Sequence, residues 1–193
     1  MKKLSLKTLV LFLSATMILI SCKKDNPAPV YELENPLNGF LTAEGLVLDY
    51  TIINDAFYEQ GTTFKPLVNG KIESIVVKLP DNITDLRVTI WDATTKTVLL
   101  TETIPAVVAD TELVHDITPL ALQKDKTYAI TYNGDDWYGY VKTNGSLINF
   151  PVNVNNISIL NYAYILGTGQ VFPTTDAGDF YEGLVSFNFR QTN

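Results

Sequence analysis

From about residue 46 onward the chain alternates apolar and polar residues, and a period of two restricts a chain to strands. Leu46, Leu48, Tyr50 and Ile52 alternate with Val47, Asp49 and Thr51, the pattern of a half-buried strand. Ile75, Val77 and Leu79 repeat it with Ser74 and Lys78 on the opposite face. Leu86, Val88 and Ile90 follow, then a turn from Asp92 to Lys96 and a return strand from Val98 to Glu102. Leu113 to Ile117 reads as a short strand, Tyr128 to Tyr132 as another, and Val185, Phe187 and Phe189 close the series. Pro80-Asp81-Asn82 and Asn133-Gly134 supply turn chemistry between them. Nothing after Cys22 offers apolar residues at i, i+3, i+4 and i+7 over a full helix. Ten tyrosines and nine phenylalanines suit strands as well. The expected fold is all-β, a single antiparallel β-sandwich of jelly-roll or immunoglobulin-like form, over residues 40–193.

The N-terminus has a different character. A basic start, Met1 to Lys7, leads into an apolar run from Leu9 to Ile20 that ends Leu19-Ile20-Ser21-Cys22. The run is about a dozen residues long, short of the ~20 a spanning helix needs, and Lys23, Lys24 and Asp25 stop its extension. A basic segment, a short apolar stretch and a small residue before the cut make a secretory signal. The tetrapeptide resembles a bacterial lipobox, which implies removal of residues 1–21 and acylation of Cys22, palmitate included. One acyl chain binds a bilayer only marginally, whereas two or three hold it durably. The following Lys23-Lys24-Asp25 is similar to the surface-export signal of Bacteroidota lipoproteins. The implied location is the outer membrane, lipid-anchored, on the cell surface rather than the periplasmic face. Residues 22–39 carry Pro27, Pro29 and Pro36 and read as an extended tether.

Without residues 1–21, which hold Lys2, Lys3 and Lys7 and no acid, 11 basic and 21 acidic residues remain. A net charge near −10 argues against nucleic acid, whose phosphates call for a basic surface. Cys22 is the sole cysteine, so the folded part has no disulfide and no thiolate chemistry. The core must hold the domain alone.

Catalytic patterns are sparse. His115 is the one histidine, alternating with apolar neighbours as an outward strand residue does, and a triad or zinc site needs more partners. No Gly-x-Ser-x-Gly or phosphate-binding glycine loop occurs. Two carboxylates about 5 to 10 Å apart would serve a glycosidase, but acids on turns are first of all solvated charges. Asp135 and Asp136 could contribute oxygen ligands to calcium, yet their spacing matches no calcium loop. No cofactor and no metal are expected, and no enzyme activity. Asn82-Ile83-Thr84, Asn144-Gly145-Ser146 and Asn156-Ile157-Ser158 fit the N-glycosylation pattern by coincidence.

Trp137-Tyr138-Gly139-Tyr140 is the best candidate for binding. Rings with a polar tip suit sugar faces and protein interfaces, and Gly139 lets a ligand or neighbouring backbone approach. Core packing competes with that reading, and at least two of the rings should point inward. Trp91 shares the face of Arg87 and Thr89, so it is either exposed or covered by a loop. Gly167-Thr168-Gly169-Gln170 and Thr174 to Asp179 could form a rim at one end of the sandwich.

Several stretches, taken in order, carry a family resemblance. They are Phe64 to Val77, Val88-Thr89-Ile90-Trp91-Asp92, Val98-Leu99-Leu100, Pro119 to Leu122 with Thr127 to Tyr132, and Tyr162-Ala163-Tyr164, Gly167, Phe172-Pro173-Thr174 and Phe180-Tyr181. Together they resemble the bacterial extracellular family known as domain of unknown function 4082, over about Leu46 to Phe189. The resemblance implies a secreted β-sandwich found beside adhesive or carbohydrate-associated modules. Histidines common in that family before the tryptophan strand and after the Tyr pair are missing from Asp81–Arg87 and Asn133–Tyr140, so a histidine-dependent site is not expected. The expected function is a non-catalytic module that binds a polysaccharide, with an interaction subunit of an envelope protein complex as the alternative. The candidate ligand-binding residues are Trp91, Trp137, Tyr138 and Tyr140.

Overall fold

Fourteen strands and one short helix make up a computed structural model that describes residues 29–177, 181–182 and 184–192. The signal peptide, Cys22 and the first part of the expected tether lie outside the described residues, as do Asp179 and Phe180. The strands are β1 Leu33–Glu34, β2 Leu46–Ile52, β3 Tyr58–Pro66, β4 Gly70–Val77, β5 Ile83–Asp92, β6 Thr97–Val107 and β7 Leu113–Leu122. They continue with β8 Tyr128–Gly134, β9 Trp137–Lys142, β10 Val152–Val154, β11 Ile157–Leu166, β12 Thr175–Asp176, β13 Tyr181–Glu182 and β14 Val185–Gln191. Helix α1 spans Pro36–Ala43.

Every strand pairing among the described residues is antiparallel. One sheet runs β1-β14-β4-β7 and a larger one β10-β11-β3-β8-β5-β6, with β12 on β11; a third, small sheet runs β13-β9-β2. The first two face each other across the core. Phe64 of β3 meets Phe187 of β14 with ring centroids 4.5 Å apart, and Ile72, Ile75, Val77, Leu86, Val88, Ile90 and Ile130 fill the space between. The all-β, sandwich-like class follows from that alternation: Ile75 and Val77 are core on β4, as Phe187 and Phe189 are on β14.

The boundary expected at Phe40 is corrected. Leu33 and Glu34 pair with Arg190 and Phe189, and α1 follows at once. Pro36, taken for a tether proline, sits at the start of α1, where a missing N–H leaves no hydrogen bond unmade. The Asn35 side chain caps the helix, accepting from the backbone N–H of Leu37 at 3.2 Å and Asn38 at 3.3 Å. Pro36, Leu37 and Phe40 are buried, and the Phe40 ring packs 4.9 Å from Tyr181. Eight residues are too few to display the repeat by which helices are recognised.

Strand lengths are corrected too. The short strand at Leu113 runs to Leu122, and the one at Val98 runs to Val107. Pro119 and Pro105 would interrupt a central strand, but β7 and β6 are edges of their sheets, where a missing donor faces no neighbour. β7 is also irregular against Ile72 and Ser74. Strands β3, β9 and β11 were not expected as strands. β3 lies inside the large sheet and buries Glu59, Gln60 and Thr62, so polar residues mask its period.

Candidate functional site

The four candidate aromatic residues do not form one surface. Trp91 is 3% exposed; it is covered by a loop, with Phe172 edge-on at 5.7 Å. Its indole N–H donates to Thr131 Oγ1 at 2.8 Å. Trp137 is 6% exposed and packs edge-to-face on Tyr58 at 5.5 Å. Tyr138 is 4% exposed and donates its hydroxyl to Asp110 Oδ1. Burial first, then the Asp110 carboxylate, raises the Tyr138 pKa far above that of free tyrosine. Gly139 is filled by a neighbour rather than a ligand: the Tyr50 ring lies where a Cβ would stand. Of the two readings open for these rings, core packing is the one found at Trp91, Trp137 and Tyr138, and the candidate binding role at those three positions is corrected. Residues 137–142 are a strand, and alternation within a strand gives a ring in every row a packed partner. Tyr140 alone of the four is half-buried, and burial raises its pKa.

The loop over Trp91 belongs to a buried polar network. Glu59, fully buried, accepts from Arg87 Nη2 at 2.8 Å and from the Thr131 hydroxyl. Arg87 also donates to the carbonyl of Thr168 at 3.1 Å, and Asn133 to that of Gly167 at 2.9 Å. Gln170 donates to Thr89 and Thr101 at 3.1 and 2.6 Å. The segment expected to be a binding rim is thus strapped down on the sheet. Register explains it, since Glu59, Asn133 and Arg87 share one row across β3, β8 and β5.

Two open clefts lie among the described residues. One lies among the turns at residues 54–57, 81–87 and 133–136, about 810 Å³ with its mouth included, and carries Asp81, Asp85, Asp135 and Asp136. Asp136 is buried and turned inward, where Oδ1 accepts from the Asn54 N–H at 2.7 Å. Its pKa is raised, by burial first and then by the charges of Asp135 and Asp81. No group of three or more His, Cys, Asp or Glu side chains among the described residues is placed to hold a metal ion. His115 is half-exposed and faces Glu102 at 3.6 Å.

The second cleft, about 530 Å³ with its mouth included, is the one that Tyr140 lines. The cavity proper is about 200 Å³, smaller than the ~300–1,000 Å³ of drug-sized sites and of a size for one small residue. Alternation builds it. Ile75 and Val77 face the core, so Val76 and Lys78 point the other way, beside Ser186 and Leu184 of the neighbouring chain segment. Helix α1 contributes Asn35, Leu37, Asn38 and Leu41, and Glu112 completes the wall. Ser186 Oγ donates to Asn35 Oδ1 at 3.1 Å, which ties the helix cap to β14. A lining of apolar side chains, polar side chains and one ring can hold a small polar molecule by its apolar face and its hydroxyls. Sequence reasoning found Tyr140 but missed the rest, because the first part of α1 reads as tether, Lys78 as an outward charge, and Glu112 carries no signal of its own.

No protein-family model matches the chain, and no curated protein matches it in sequence.

Proposed function

We propose that this protein is an outer-membrane lipoprotein, cut before Cys22 and anchored there, whose sandwich domain is a non-catalytic glycan-binding module. The resemblance to the 4082 family and the lipobox support the extracytoplasmic setting and a jelly-roll or immunoglobulin-like sandwich. The observation that carries the binding reading is the Tyr140 cleft: a half-buried ring, the apolar Leu37, Leu41, Val76 and Leu184, and the polar Asn38, Lys78, Glu112 and Ser186 line it together. Pyranose rings present an apolar face and a rim of hydroxyls, and such a lining meets both. The test is a titration of the full chain, held in detergent micelles, with soluble oligosaccharides, read by calorimetry and saturation-transfer NMR. Binding that disappears in Tyr140→Ala supports the proposal; no binding to any glycan of a broad panel sinks it.

A second reading rests on β2. Among the described residues this strand pairs on one side only, and Val47, Leu48 and Tyr50 on it are exposed, as are Ile53 and Phe57 just beyond. An open, apolar edge is a surface on which another chain can add a strand, as a subunit of an envelope complex would offer. Crosslinking on intact cells that captured one stoichiometric partner, lost on Leu48→Lys, would favour it over glycan binding.

A further inference from the structure

We infer that the Tyr140 cleft takes a zwitterionic sugar residue, one that carries a carboxylate and a free amine at neighbouring positions. The inference rests on the glycan-binding reading above and names the ligand chemistry within it. Lys78 and Glu112 both line the cleft. They stand one step beyond Val77 and Leu113, the last paired residues of the β4–β7 ladder, and so flank the end of that ladder on its two chain segments. Several charged side chains of the domain pair with one another: Lys71 and Arg190 with Glu73, Arg87 with Glu59, Lys126 with Asp92, Lys142 with Glu44. Lys78 and Glu112 form no ion pair among the described residues.

A cation and an anion left side by side at a cleft wall are both satisfied by a ligand with the opposite arrangement. A ligand with one charge satisfies one wall group and desolvates the other without return. The net charge near −10 of the chain after Ser21 works in the same direction, because it repels polyanionic glycans and leaves a net-neutral zwitterion unaffected. The sugar ring would rest on Tyr140 and Leu41, with Asn38 and Ser186 within reach of its hydroxyls.

The probe is muramic acid, whose amine and lactyl carboxylate sit on adjacent ring carbons. It is compared with N-acetylmuramic acid and glucuronic acid (carboxylate only), glucosamine (amine only) and glucose, each titrated into the full chain in micelles. Muramic acid is expected to bind at least about ten-fold more tightly than any of the four, the loss of one charge-assisted hydrogen bond. Lys78→Met should erase the advantage over glucosamine, and Glu112→Gln the advantage over N-acetylmuramic acid. Both positions are solvent-facing, so these variants should fold, and an unchanged thermal transition checks it. Equal binding of glucose and muramic acid would overturn the zwitterion while leaving glycan binding intact. No binding of any sugar, oligosaccharides included, would overturn both. A preference for muramic acid that survives both substitutions would overturn the assignment to this cleft.

Discussion

Glu59 shows how much of this sheet depends on single side chains. Its carboxylate is fully buried between Arg87 and Thr131, and through Arg87 it holds the carbonyl of Thr168. Glu59→Ala leaves Arg87 without its partner; removal of one member of a buried pair costs about 3 to 5 kcal/mol. Arg87 keeps 26% of its side chain exposed, so the low end, about 3 kcal/mol, is expected by urea denaturation. A loss below about 0.5 kcal/mol would show the network to be idle. Burial, outweighing the hydrogen bonds from Thr131 and Arg87, raises the Glu59 pKa. The folded state therefore binds the proton more tightly than the unfolded chain, whose glutamate titrates near ~4.3. The stability linked to that proton is full below the unfolded value and is lost as pH rises through the folded one. Acidification from pH 7 towards pH 5 should thus raise the melting temperature of wild type relative to Glu59→Gln, and parallel profiles would count against it. Asp92 has the opposite sign. Lys126 first, then the Thr95 N–H, holds its carboxyl down at about 2. Its contribution is present above the unfolded value near ~3.9 and is lost as pH falls through about 2. Asp92→Asn should melt earlier than wild type at pH 7, with the gap closing in acid.

Helix α1 decides where the domain begins. Phe40 is fully buried against Phe150 and Tyr181, and Phe40→Ala should cost about 3 to 5 kcal/mol. A chain begun at Tyr31 is expected to keep one cooperative unfolding transition, and a chain begun at Leu41 to lose it; equal melting of the two would restore the tether boundary. The strands whose one face is core, β4, β5, β8 and β14, were legible because each alternates cleanly. β3 was not, since Glu59, Gln60 and Thr62 are buried by pairing with Arg87, Tyr162 and Tyr181 and so carry no apolar signature. Helix α1 was hidden by its length and by Pro36, a residue equally at home in a tether and at a helix start. The same gap explains the partial view of the cleft. Tyr140 was visible as one ring of an aromatic run, but Leu37 and Asn38 belong to a segment that reads as tether, and Leu41 stands just past its end without a strand pattern. Lys78 and Glu112 are 34 positions apart in sequence, and only the β4–β7 register brings them together. Trp137 and Tyr138 misled for a physical reason: a ring with a polar tip looks the same in sequence whether its tip meets a ligand or, as in Tyr138, Asp110.

For the whole molecule, the proposed anchor at Cys22 implies a role separable from folding, and that separation is testable. The chain has a single cysteine, so no disulfide can contribute to the domain, and the core of Phe64, Phe187, Phe189 and their neighbours carries its stability alone. Cys22 precedes Leu33, the first paired residue among those described, by a segment with Pro27 and Pro29. Substitution at Cys22 should therefore change where the protein is without changing how it folds. Cys22→Ser is expected to abolish metabolic labelling with an alkyne-tagged palmitate and to move the protein from the membrane to the soluble fraction, because a bilayer held only by an acidic surface offers no attraction. Its melting temperature should match that of the acylated form in the same detergent. Added protease on intact cells then reports the face: digestion of wild type with periplasmic markers intact places the domain outside. A Cys22→Ser chain that still sediments with membranes and still takes up label would remove the lipoprotein reading, and the extracytoplasmic glycan site with its main support. A variant that leaves the membrane but also melts much earlier would instead show that the anchor segment packs into the fold.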